Sequence, residues 1–140
     1  MIKTFILNYA QYDREPLHMI INAILMSKLC NNPIELVDPI IKLQKEENIS
    51  TYYHSGKNNE SYNMVNLDKK ILINHFNKIG IKDFYEYPSG GEYFLRITDK
   101  GKALLNKKII DRLEKHILEI GGKLEGEHSH YLPHDSNDWK

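Results

Sequence analysis

The 140-residue chain contains a single cysteine, Cys30, so no disulfide can form within it. Cys30 stands among Ile24, Leu25 and Leu29, the setting of a small buried hydrophobe. No base lies near it in sequence to lower its thiol pKa for nucleophilic work. No apolar run approaches the ~18 residues that a membrane span requires. The opening residues, MIKTFILNYA, carry one basic residue and a short apolar run without the h-region and small-residue cleavage site of a secretory signal. The expectation is a cytoplasmic protein without a membrane segment. An excess of charge of either sign is also missing: 19 Lys/Arg balance 19 Asp/Glu. No P-loop, G-x-S-x-G, H-E-x-x-H or contextual Cys–His pair is present. We therefore expect neither an enzyme nor a resident cofactor.

The charge that is present is unevenly placed. Residues 67–115 carry eleven Lys/Arg against seven Asp/Glu, a net +4, whereas residues 116–140 carry two against five. Residues 2–9, rich in β-branched and aromatic side chains, suggest a short strand or extended arm. Asp13 and Pro16 suit the start of a helix over 16–30, with Leu17, Ile20, Ile21, Ile24, Leu25 and Leu29 on its apolar face and His18 on its exposed first turn. A helix this apolar belongs at the centre of a core or against a second subunit. Asn31-Asn32-Pro33 ends it. Residues 34–47 predict a second helix, and Pro39 favours a start near Asp38 with 33–37 as a lead-in turn. Residues 48–66 lack a helical period and fit two short strands, 50–54 and 61–65, around the turn at Gly56. Tyr52, Tyr53, His54 and Tyr62 could there cover a hairpin face, or form a surface for bases or a protein partner.

The most ordered pattern runs from 68 to 113. Asn66 or Asp68 caps a helix whose apolar stripe is Ile71, Leu72, Phe76 and Ile79, with Lys69, Lys70, Asn74, His75 and Lys78 on its other faces. Gly80 stops it. Residues 81–87 and 92–98 then read as strands joined by Pro88-Ser89-Gly90-Gly91. Alternation separates Tyr93, Leu95 and Ile97 from Phe94 and Arg96. Thr98 or Asp99 caps a long final helix reaching Ile120, and Gly121-Gly122 ends it.

The segment FLRITDKGKALL resembles the strand-to-helix junction of winged-helix regulators of the multiple-antibiotic-resistance and phenolic-acid-response types. The residues carrying the resemblance are Leu95, Ile97, Thr98, Lys100, Gly101, Leu104 and Leu105. With the preceding helix and hairpin it covers residues 67–110. It implies an α+β, mainly helical fold: a single winged-helix-like domain over 1–122 with a two-stranded wing and a long C-terminal helix, followed by a polar acidic tail, 123–140. In that family the helix before the hairpin enters the major groove and the hairpin meets backbone or minor groove. Carried over, the resemblance assigns DNA contacts to Lys69, Lys70, Asn74, His75, Lys78, Ser89, Gly90, Gly91 and Arg96. It also implies a homodimeric transcriptional regulator, with residues 16–30 and 99–120 as natural dimerisation elements.

Glu86 and Glu92 flank the expected wing tip, where acids oppose a phosphate backbone. This keeps a protein-interaction module of the same fold open, with Tyr52, Tyr53 and Tyr62 as its contact surface. In the tail, His128, His130 and His134 have metal-compatible spacing but no supporting shell, and read as an exposed polar segment.

Overall fold

The computed structural model describes residues 1–79 and 90–124. Among these residues the architecture is α+β and mainly helical, with a four-stranded antiparallel sheet. The chain opens with α1 (Ile2–Tyr9), not the strand expected there. Ile2, Phe5, Ile6 and Tyr9 follow the i, i+3, i+4, i+7 spacing of one helix face, and Ile6 and Tyr9 are buried on it. β1 (Glu15–Pro16) follows, and Pro16 ends it as the extended residue before α2 (Leu17–Ser27). Proline is tolerated because β1 is an edge strand.

Leu17, Ile20, Ile21 and Ile24 of α2 are completely buried in the chain's own core. The apolar face expected to be available to a second copy is thus consumed within the protomer. Cys30 is buried just beyond. Burial, reinforced by Glu35, pushes its thiol up to about 11, which keeps it protonated and unreactive at neutral pH.

Asn32 accepts the Ile34 N–H at 3.0 Å, while the Glu35 carboxylate accepts the Asn32 N–H at 2.9 Å. This reciprocal cap opens a single 3-10 turn, Pro33–Leu36, which runs into α3 (Val37–Lys45). Pro39 falls in the first turn of α3, where a missing donor costs little. The Gln44 side chain then pairs with the Leu67 backbone in both directions, at 2.8 and 2.7 Å, and so ties the later chain to α3.

β2 (Ile49–His54) and β3 (Asn63–Met64) match the two strands expected around Gly56. Next is α4 (Lys69–Ile79), capped by Asp68, whose Oδ1 accepts the Ile71 N–H at 2.8 Å. Leu72 and Phe76 bury into the core, and α4 packs against α3 and the 3-10 turn. β4 (Glu92–Ile97) is central: it pairs along its length with β2, from Ile49↔Ile97 to His54↔Glu92, and on its other edge with β1. The strand order is β1-β4-β2-β3. The first strand expected for the hairpin, 81–87, lies outside the described residues. The partner running along β4 is β2, and β3 and α4 lie between these two paired strands in the chain.

Thr98 caps α5 (Asp99–Lys102) by accepting the Gly101 N–H at 3.0 Å, as the junction pattern implied. Thr98 also donates its hydroxyl to the Glu47 carbonyl at 2.6 Å, and its N–H to that of Asn48 at 3.1 Å. Gly101 is needed for this docking, since a Cβ there would sit 2.2 Å from the Asn48 carbonyl oxygen.

The expected continuous helix 99–120 is interrupted. Asn106 caps a new helix, α6 (Lys107–Glu119), by accepting the Ile109 N–H at 2.8 Å, and Ala103–Asn106 is a turn between the two. α6 packs on α1 and buries Ile110, Leu113 and Ile117. Gly121, at φ +80°, turns the chain, and the Lys123 N–H bonds the Met26 carbonyl at 2.9 Å. Among the described residues no helix is long and apolar enough to cross a membrane.

Candidate functional site

Glu92 opens β4 and was expected at an exposed wing flank. It is instead fully buried, at 0% exposure. An ionised carboxylate survives such a place only with a complete set of donors. Its Oε2 accepts the His18 backbone N–H at 3.0 Å and His18 Nδ1–H at 2.7 Å. Its Oε1 accepts His75 Nε2–H at 2.5 Å and the Tyr93 backbone N–H at 2.6 Å. Burial pushes the Glu92 carboxyl up, but the hydrogen bonds from His18 and His75 outweigh it and hold the group below its ordinary value.

Two consequences follow from this ionisation. A carboxylate only accepts, so His18 must carry a proton on Nδ1 and His75 on Nε2. α2 has no side-chain cap of its own, and Glu92, from a strand remote in sequence, accepts from its N-terminal His18 N–H and meets its dipole. His18 is therefore buried rather than exposed on the first turn.

His75 forms part of a surface cleft of about 290 Å³ between α4, β2 and β4. Ile71, Asn74, His75 and Lys78 contribute from α4, Tyr53 from β2, Tyr93 from β4, and Gly90 and Gly91 from the approach to β4. The Tyr53 and Tyr93 rings lie 5.2 Å apart, and Tyr93 meets the His75 ring edge-on at 4.9 Å. Tyr53 donates its hydroxyl to the Gly90 carbonyl at 2.6 Å. Its ring rests so closely on Gly91, itself at φ +107°, that any Cβ there would lie 2.2 Å from the phenol oxygen. Burial, then Tyr53 and the carboxylates of Glu92 and Asp68, pushes the Tyr93 phenol up, so it stays protonated at neutral pH.

The residues expected to meet DNA divide into groups. Asn74, His75, Lys78, Gly90 and Gly91 converge on the cleft. His75 is buried there, because its ring is drawn inward to Glu92. Lys69 and Lys70 are exposed at the start of α4, outside the cleft lining, and Arg96 is exposed on β4 opposite Ser50. Ser89, Glu86 and the tail histidines His128, His130 and His134 lie outside the described residues. Among the described residues no group of three or more His, Cys, Asp or Glu could hold a metal ion.

The tyrosines do not form one surface. Strand alternation sends Tyr53 to the cleft and Tyr52 to the opposite face. There the Arg14 guanidinium lies 4.1 Å from the Tyr62 ring centroid and 5.5 Å from that of Tyr52, and Tyr62 packs edge-on against Phe94.

Sequence reasoning missed His18 and Tyr93 as parts of this site and treated Glu92 only as a liability. The available signal was an acid at the head of the otherwise apolar run Glu92-Tyr93-Phe94-Leu95. Such a residue on a central strand has to find donors.

Because the folded state holds the Glu92 carboxyl below its ordinary value, the unfolded chain takes up this proton first as the medium is acidified. The stabilisation is fully present above the unfolded carboxylate pKa of about 4.3 and is lost as pH falls through the folded value. Urea titrations of wild type and Glu92→Gln over this window are expected to show a shallower acid loss in the variant. Parallel pH profiles would exclude the linkage. Comparison of the chain with protein-family models, with curated proteins and with solved structures finds no match.

Proposed function

We propose that the chain is a winged-helix-like DNA-binding module that serves as a transcriptional regulator, with α3 rather than α4 in the groove-facing position. The observation that carries this reading is the β1-β4-β2 strand order with α2 and α3 immediately before β2. In the family that the junction motif resembles, the groove helix precedes the paired strands. The paired strands are β2 and β4, and the helix before them is α3. The Thr98–Gly101 junction supports the reading by docking on the α3–β2 turn. Between the paired strands the chain carries β3 and α4, and α4 brings exposed Lys69 and Lys70. The outer side of α3 is mixed in charge, with Lys42 and Lys45 exposed beside Asp38. Phosphate contact is therefore assigned to lysines of both helices. Dimerisation, on this reading, falls to α6, whose Leu118 is 60% and following Ile120 40% exposed.

Fluorescence anisotropy with duplex DNA tests the proposal. Binding is expected at ~50 mM salt and is expected to fall steeply by ~200 mM as counterion release is lost. The double variants Lys42→Glu/Lys45→Glu and Lys69→Glu/Lys70→Glu are each expected to weaken it and to flatten the salt slope. Absence of binding to any duplex at the lower salt would reject the DNA reading. The alternative, a protein-interaction module, draws on β3, at the edge of the described sheet opposite β1, where Met64 is 71% exposed beside Tyr62.

A further inference from the structure

The cleft beside His75 has the chemistry of a ligand site. Among its described lining residues Lys78 supplies a cation and Asn74 an amide, and none is acidic. Of the two carboxylates that act on Tyr93, Glu92 is fully buried with both oxygens already accepting hydrogen bonds, and Asp68 lies outside the lining with Oδ1 accepting the Ile71 N–H. An anionic group at the mouth therefore meets the Lys78 ammonium, with no carboxylate among the described lining residues. Tyr53 and Tyr93 add an aromatic wall, held in place by the Tyr53–Gly90 hydrogen bond and the close seat over Gly91. His75 is fixed in one orientation and one tautomer by Glu92, the preorganisation that a binding group needs. At about 290 Å³ the cleft lies at the small end of ligand sites, suited to a single compact molecule rather than a peptide.

We propose that this cleft binds a phosphate-bearing planar ring, that is, one nucleotide, either free or as the 5′-phosphorylated end of a strand. Lys78, a flexible point charge placed so that a Cβ on Gly90 would lie 3.2 Å from its Nζ, takes the phosphate together with Asn74. The base lies against the tyrosine wall, since every base offers a π-face to an aromatic side chain. The assignment is independent of duplex binding, because it uses neither α3 nor Lys69 and Lys70.

Isothermal titration of the full chain with thymidine 5′-monophosphate, thymidine, benzoate and a 5′-phosphorylated tetrathymidylate provides the test. Lys78→Gln, an exposed substitution, is expected to weaken the mononucleotide at least ~10-fold, as loss of a charge-assisted contact should. Thymidine is expected to bind wild type and this variant alike. Tyr53→Leu, checked for folding by circular dichroism, is expected to weaken nucleotide and nucleoside together. Tighter binding of the mononucleotide identifies a free ligand, and tighter binding of the tetranucleotide identifies a strand end. The proposal is overturned if neither binds at millimolar concentration, if Lys78→Gln leaves both unchanged, or if benzoate binds as tightly as the mononucleotide.

Discussion

Replacing Glu92 with alanine is expected to destabilise the fold by about 3–5 kcal/mol, the range for removing one member of a buried, hydrogen-bonded ionic cluster. The cost arises from what is left behind rather than from the side chain lost. His18 Nδ1–H and His75 Nε2–H would both face a site without an acceptor, and the His18 backbone N–H at the start of α2 would lose its partner. These donors belong to elements far apart in sequence, so the loss acts on the packing of α2 and α4 against β4 together. Glu92→Gln keeps the shape and one acceptor oxygen, and is expected to cost less, about 1–3 kcal/mol. Urea denaturation of the three proteins at neutral pH measures the series. A Glu92→Ala midpoint equal to wild type would mean that the carboxylate does not hold the two imidazoles.

The second large effect is expected at Leu72, which is completely buried on α4. Leu72→Ala should cost about 2–5 kcal/mol through lost transfer energy and the cavity left behind. The position is informative because α4 belongs to the excursion between β2 and β4, and its apolar stripe holds that excursion on α3. Hydrogen exchange should therefore show lost protection in α4 while the β2–β4 amides remain protected. Leu104→Ala in the turn before α6, where the side chain is 50% exposed, is the matched control and should change stability by no more than about 0.5 kcal/mol. Equal losses at the two positions would remove the case for Leu72 as the anchor.

The parts of this fold that are legible in the residues are those governed by neighbours in the chain. The periodicity of α2 and α4, the Asp68 and Thr98 caps, the turn around Gly56 and the stop at Gly121 all depend on contacts within a few positions. α1 was legible too, in the spacing of Ile2, Phe5, Ile6 and Tyr9, but β-branched content pointed the other way. The break between α5 and α6 was also written locally, in the ability of Asn106 to cap a new helix, though the apolar spacing ran on across it.

What could not be read was which strand pairs with β4. Local pattern favours a hairpin with the preceding segment, because a short loop closes at less entropic cost. The structure pairs β4 with β2, across an excursion that carries a helix. That choice depends on burial of Leu72 and Phe76 and on the Glu92 cluster, contacts that exist only once α2, α4 and β4 have met. The candidate site has the same origin. Five of the residues chosen from sequence do converge on the cleft, since the α4 helix and the glycine approach to β4 were recognisable locally. Tyr93 and the supporting His18–Glu92–His75 network come from three separate regions, and no spacing rule connects them. By itself the sequence determined the helices, their caps and the glycine-bearing junction, because these are short-range steric and hydrogen-bonding matters. Only the tertiary structure decided that an acid at the head of a strand would be buried between two histidines. Its ionisation is tolerable only after the fold has delivered every donor to it.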